Sequence, residues 1–133
     1  MKKFFKIILL IFLSLSSCYF SLVYANEKIK IGLLVPITGD DKNLGQQIIK
    51  STRIALKEIG SDKIEIHLRD TNSDPTKALK SAAELRDIGV KIVIGPIFYK
   101  SLIYLDEVSE ITFLSLTNKT VNLPNNVISA GIN

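Results

Sequence analysis

The chain has 133 residues, a formal net charge of +4, one cysteine and one histidine. That length holds one small domain. The single cysteine excludes an internal disulfide, and with one histidine beside it there is no His/Cys set for a transition metal. The charge is uneven. Lys2, Lys3 and Lys6 precede Asn26 and no acidic residue does, so from Asn26 onward 14 basic residues face 13 acidic ones. That near balance argues against nucleic acid as a partner.

Residues 1–25 read as a signal peptide. Three lysines open it, Ile7–Leu15 is almost wholly apolar, and Ser14, Ser16 and Ser17 make a small-residue zone at its end. Val23-Tyr24-Ala25 suits cleavage before Asn26. The alternative is a lipoprotein signal, Leu15-Ser16-Ser17-Cys18, cut before Cys18 with that cysteine lipidated. Either cut exports residues 26–133 to the periplasm, the second with a lipid anchor.

The exported part alternates in period. Ile29–Val35 is β-branched and apolar, as a buried strand requires. Asn43–Ile59 repeats at helical spacing, with Leu44, Ile48, Ala55 and Ile59 as its apolar stripe and Gly60 as its stop. Lys63–Arg69 alternates, Ile64, Ile66 and Leu68 against Glu65, His67 and Arg69, as an outer strand with one wetter face would. Ser73 or Asp74 can cap the next helix, with Pro75 in its first turn and Gly89 after its end. Val90–Ile94 is a third strand, Ser101–Glu110 a short helix, Ile111–Leu116 a fourth strand and Asn126–Ala130 a fifth. The pattern predicts an α/β fold, a parallel sheet covered on both faces. After the fifth strand only Gly131-Ile132-Asn133 remain, so the expectation is a fragment or a truncated product with one sheet face partly uncovered.

In such sheets ligands bind at the carboxyl ends of the strands. Here those ends are Pro36–Asn43, Asp70–Asp74, Gly95–Lys100 and Ser115–Asn118, all rich in small polar residues. Enzyme readings fail in turn. The spacing from Gly39 to Gly45 leads to Gln46-Gln47 and not to Lys-Ser/Thr, so there is no phosphate loop. The dinucleotide glycine fingerprint is absent after Val35. His67 falls in mid-strand. Asp40-Asp41 resembles a phospho-receiver's acid pair, but the third strand ends in Gly95 where a receiver has Asp. The reading is a binding protein and not an enzyme, with no catalytic residue, metal or cofactor implied.

Three stretches in order, "IKIGLLVPITG", "RDTNSDPTKA" and "GVKIVIGP", resemble the type I periplasmic binding proteins, among them the leucine/isoleucine/valine receptors of ABC transporters. The resemblance implies a Rossmann-like doubly wound sheet of order 2-1-3-4-5, here the incomplete first lobe of a two-lobed clamp. It implies an amino-acid-like small solute and an ABC permease as partners. It also implies site residues. Thr38 lies in the first loop, and Leu44 stands where an aromatic residue often packs on the ligand. Tyr99, or Ser101 if the loop shifts, stands where a serine holds the ligand carboxylate. Ser115 and Thr117 supply a backbone carbonyl and a hydroxyl after the fourth strand. The segment "GPIFYKSLIYLDEVSEITFLSLTN" also resembles penicillin-binding protein activators, lipoproteins that stimulate peptidoglycan synthases. That alternative gives Cys18 a purpose and makes a peptidoglycan synthase the partner.

Overall fold

The computed structural model describes residues 28–131. The expected signal peptide and Cys18 lie outside the described residues. Five strands form one sheet: β1 (Ile29–Val35), β2 (Ile64–Asp70), β3 (Ile92–Ile94), β4 (Thr112–Ser115) and β5 (Val127–Ser129). Their order is β2-β1-β3-β4-β5, and every neighbouring pair is parallel. This is the expected order. Helix α1 (Lys42–Ile59) links β1 to β2, and α2 (Pro75–Asp87) links β2 to β3.

The main core lies on the α2 face. Leu34, Val93 and Phe113 from the sheet meet Ala82 and Leu85 from α2 and Leu102, Leu105 and Val108 from the β3–β4 connection. Phe113 is fully buried, and burying a side chain of that size contributes about 1.5–3 kcal/mol. Asn126 secures this layer at its base. Its amide donates to the carbonyls of Leu105, Val108 and Ile111 at 2.8, 3.1 and 3.2 Å.

The opposite face is thinner. Leu33, Ile66 and Leu68 face Ile49, Thr52 and Leu56 of α1. Further along that face, Ile92 and Ile128 remain 43% and 55% exposed. The partly uncovered face is therefore observed, on the side beyond α1.

Three sequence expectations need correction. The α1 stripe is turned from the one expected: Leu44, Ala55 and Ile59 are exposed, while Gly45 is buried. The cause is a close approach, since a Cβ on Gly45 would stand 1.7 Å from the Pro36 carbonyl oxygen. That contact seats the first turn of α1 on the loop and fixes its rotation. The helix starts one residue before the expected Asn43, at Lys42, with Asp41 in the cap position and no side-chain cap bond. Finally, Ser101–Glu110 is not one helix. It divides into two 3₁₀ turns, Tyr99–Leu102 and Leu105–Val108, each too short to carry a full 3.6-residue stripe.

Candidate functional site

All five strands run the same way, so their carboxyl ends share one edge. From β1 the sheet extends to β2 on one side and to β3 on the other. The strand order reverses between β1 and β3, at the switch point where open α/β sheets place their ligands.

The loop after β1 is tied to the end of β2 by one carboxylate. Asp70 Oδ1 accepts the amides of Ile37 at 2.7 Å, Thr38 at 3.2 Å and Asn72 at 2.9 Å. Its Oδ2 accepts the Thr38 hydroxyl at 2.6 Å and the Lys77 ammonium at 2.5 Å. Burial alone would push the Asp70 carboxyl up. The donors from Lys77, Thr38, Ile37 and Asn72 outweigh it and hold the group well below the usual carboxylate range. A second tie runs from the Ser73 hydroxyl to Asp41 at 2.7 Å. Asp74 caps α2 by accepting the Lys77 amide at 2.7 Å.

The loop after β3 begins at Gly95, with φ +101°. A Cβ there would also stand 2.1 Å from the Leu34 carbonyl oxygen, so glycine is required twice over. Tyr99 follows in the first 3₁₀ turn and packs on the core, with the Lys119 ammonium 3.2 Å from its ring centroid. Ser101 is buried, and its hydroxyl has no hydrogen-bond partner among the described residues.

At the end of β4, Ser115 is fully buried. Its hydroxyl donates to the Pro96 carbonyl at 2.9 Å and accepts the Thr117 amide at 3.3 Å. The Ser115 carbonyl accepts the Ala130 amide at 2.8 Å. The Thr117 hydroxyl accepts the Lys119 amide at 3.3 Å, and no acceptor for its own proton stands among the described residues.

Thr38, Tyr99 and Thr117 thus fall on loops along one edge, where Ser115 ends β4. Leu44 is 39% exposed in the first turn of α1. Ser101 and Ser115 turn their hydroxyls into the fold, and Ser115 stitches two loops together. Sequence reasoning missed Asp70, Lys77 and Lys119. Asp70 carried a signal, as an acid at a strand end beside a loop full of free amides. Lys119 carried none.

The sheet order and the polar loops gathered on its carboxyl edge define a Rossmann-like α/β lobe. A family model described as periplasmic binding protein matches residues 28–107, and the chain belongs to that family. A Leu/Ile/Val-binding protein homolog 1 from Brucella abortus is 37% identical over 71 residues, 49% of this chain and 19% of that protein. The chain therefore spans about a fifth of that relative's length. Among solved structures, the leucine binding protein LivK from Thermotoga maritima superposes with a TM-score of 0.62 at 23% identity, over 68% of this chain and 28% of that one. The C-domain of LpoA from Haemophilus influenzae, described as a regulator of PBP1A, superposes with a TM-score of 0.62 at 26% identity, over 77% of this chain and 32% of that one.

Proposed function

We propose that this chain is the solute-recognising first-lobe portion of a periplasmic binding protein serving an ABC transporter. The solute is amino-acid-like, and the partner is the transporter's permease. The observation that carries this reading is the placement of Thr38 and Thr117 on loops along one edge of a parallel sheet whose strand order reverses between β1 and β3. Thr117 has a hydroxyl proton to give, and Lys119 brings an ammonium beside Tyr99 on the same edge. A hydroxyl and an ammonium together suit a carboxylate.

The test is a titration of the isotopically labelled chain with leucine, isoleucine and valine at millimolar concentration, followed by amide chemical shifts. One lobe offers only part of a clamp's contacts, so weak binding is expected. Shifts at Thr38, Thr117 and Lys119 that saturate, and that Thr117→Ala weakens, support the reading. Shifts scattered over the surface, or none on the rim, overturn it.

The likeness to LpoA covers more of this chain than the likeness to LivK, 77% against 68%. That favours a second reading, a lipoprotein anchored at Cys18 that binds a peptidoglycan synthase. Mass spectrometry of the membrane-extracted chain separates the two. An acylated Cys18 together with capture of the synthase supports it, and a chain beginning at Asn26 removes it.

A further inference from the structure

Asp70 is the most heavily engaged polar group on the rim. Its two oxygens take three amides, a hydroxyl and an ammonium, all within 3.2 Å. A carboxylate has about four lone-pair sites, so these donors saturate it and leave nothing for a solute. Its side chain is only 18% exposed. Its effect on the rim passes through Thr38.

A threonine hydroxyl has one proton. Two acceptors lie near Thr38 Oγ1: Asp70 Oδ2 at 2.6 Å and Asn72 Oδ1 at 3.2 Å. The charged and closer acceptor takes the proton. Lys77 Nζ approaches the same hydroxyl oxygen at 3.4 Å. What Thr38 has left for a solute is a lone pair.

We propose that Asp70 is a positioning residue of the rim: it clamps the loop after β1 to the end of β2 and holds the Thr38 hydroxyl as an acceptor. The solute group that meets Thr38 must then be a hydrogen-bond donor, such as an ammonium. This second half rests on the solute-binding reading above, and the clamp does not. Asp70 touches no solute itself.

The experiment compares the full chain with Asp70→Asn, Asp70→Ala and Thr38→Val. Asn keeps an acceptor oxygen for the three amides but puts an amide donor where Oδ2 was, which leaves the Thr38 proton only Asn72 Oδ1, at 3.2 Å, or a solute to go to. Ala removes both. In hydrogen exchange, Asp70→Ala speeds the amides of Ile37, Thr38 and Asn72 by about tenfold or more, while Asp70→Asn changes them by less than about threefold. Amides in β3 and β4 follow global stability and speed by no more than each variant's loss of unfolding free energy, so the rim effect is read as the excess over them. Unchanged exchange in Asp70→Ala, or equal acceleration in the two variants, overturns the clamp.

The binding arm uses L-leucine and 4-methylpentanoate, the same skeleton without its amino group. The parent chain prefers leucine by about tenfold or more, and Asp70→Asn and Thr38→Val each reduce that preference at least about fivefold. A preference unmoved by Thr38→Val overturns the acceptor assignment. If neither probe binds the parent chain, the donor requirement falls with the solute-binding reading, and the exchange data still decide the clamp.

Discussion

The hydroxyl of Ser115 donates to the carbonyl of Pro96 at 2.9 Å and accepts the Thr117 amide at 3.3 Å. One buried side chain thus joins the end of β4 to the loop after β3 and starts the turn that carries Thr117. Ser115→Ala leaves the Pro96 carbonyl with its bond from the Leu116 amide, but strips the Thr117 amide of its partner. A buried donor without an acceptor costs about 1–3 kcal/mol. The expected result is an unfolding free energy lowered by that amount, read as a lower urea midpoint at unchanged slope. A midpoint within error of the parent would mean that Thr117 finds another acceptor.

Two glycines on the rim are predicted to reject even a methyl group. A Cβ on Gly45 meets the Pro36 carbonyl oxygen at 1.7 Å, and one on Gly95 meets the Leu34 carbonyl oxygen at 2.1 Å. Both obstacles are backbone and cannot rotate away as a side chain would. Gly45→Ala and Gly95→Ala should each cost about 3 kcal/mol, the upper end for overpacking. Thermal unfolding checks this. A loss under about 1 kcal/mol in either variant would show that α1 or the loop after β3 can back off freely.

The sheet was legible because its signal is local. Ile29–Val35 and Val90–Ile94 are short apolar runs, and the stretches between them repeat at helical spacing. What escaped the sequence depends on contacts between distant segments. Asp70 is visible as an acid at a strand end, but its partners Ile37 and Thr38 lie more than thirty positions away, and only the fold brings them together. The rotation of α1 escaped for a related reason. Its apolar pattern allowed Leu44 inward, but the contact between Gly45 and Pro36 belongs to two elements at once. Ser101–Glu110 misled because ten residues cannot separate a period of 3.6 from two turns of period 3.0. On the rim, residue type showed that hydroxyls were present but not which way they turn. Ser115 and Ser101 face inward, and only the packed structure says so.

Lys119 and Tyr99 should couple measurably. The ammonium lies 3.2 Å from the ring centroid, and among the described residues it has no carboxylate partner. A cation over an aromatic face at a partly exposed site contributes about 0.5–1 kcal/mol. A double-mutant cycle with Lys119→Met and Tyr99→Leu, read by denaturant unfolding, should return a coupling of that size. Met keeps most of the stem and removes the charge, so packing is largely preserved. A coupling near zero would mean that the ammonium spends its time in water and that the loop after β4 is not held by the ring.

The last prediction concerns acid. Asp70 has its folded carboxyl held well below its ordinary value of 3.8, so it favours the folded state when ionised. Its contribution is therefore fully present above pH 3.8 and is lost as the pH falls below that value toward the lower folded one. Asp70→Asn removes the titration and the ion pair with Lys77 together. At pH 7 the variant should be less stable by about 1.5–3 kcal/mol, the range for hydrogen bonds to a charged group. Between pH 7 and 5 that gap should stay constant, since Asp70 is ionised in both the folded and the unfolded chain. Below pH 3.8 it should close by about 1.4 kcal/mol per pH unit. Other carboxylates titrate in parent and variant alike and cancel in the difference. Urea midpoints for both chains at pH 7, 5, 3.5 and 2.5 measure it directly. A gap that persists undiminished at pH 2.5 would place the folded Asp70 carboxyl at its ordinary value, and the five donors around it would then have no net effect on its charge.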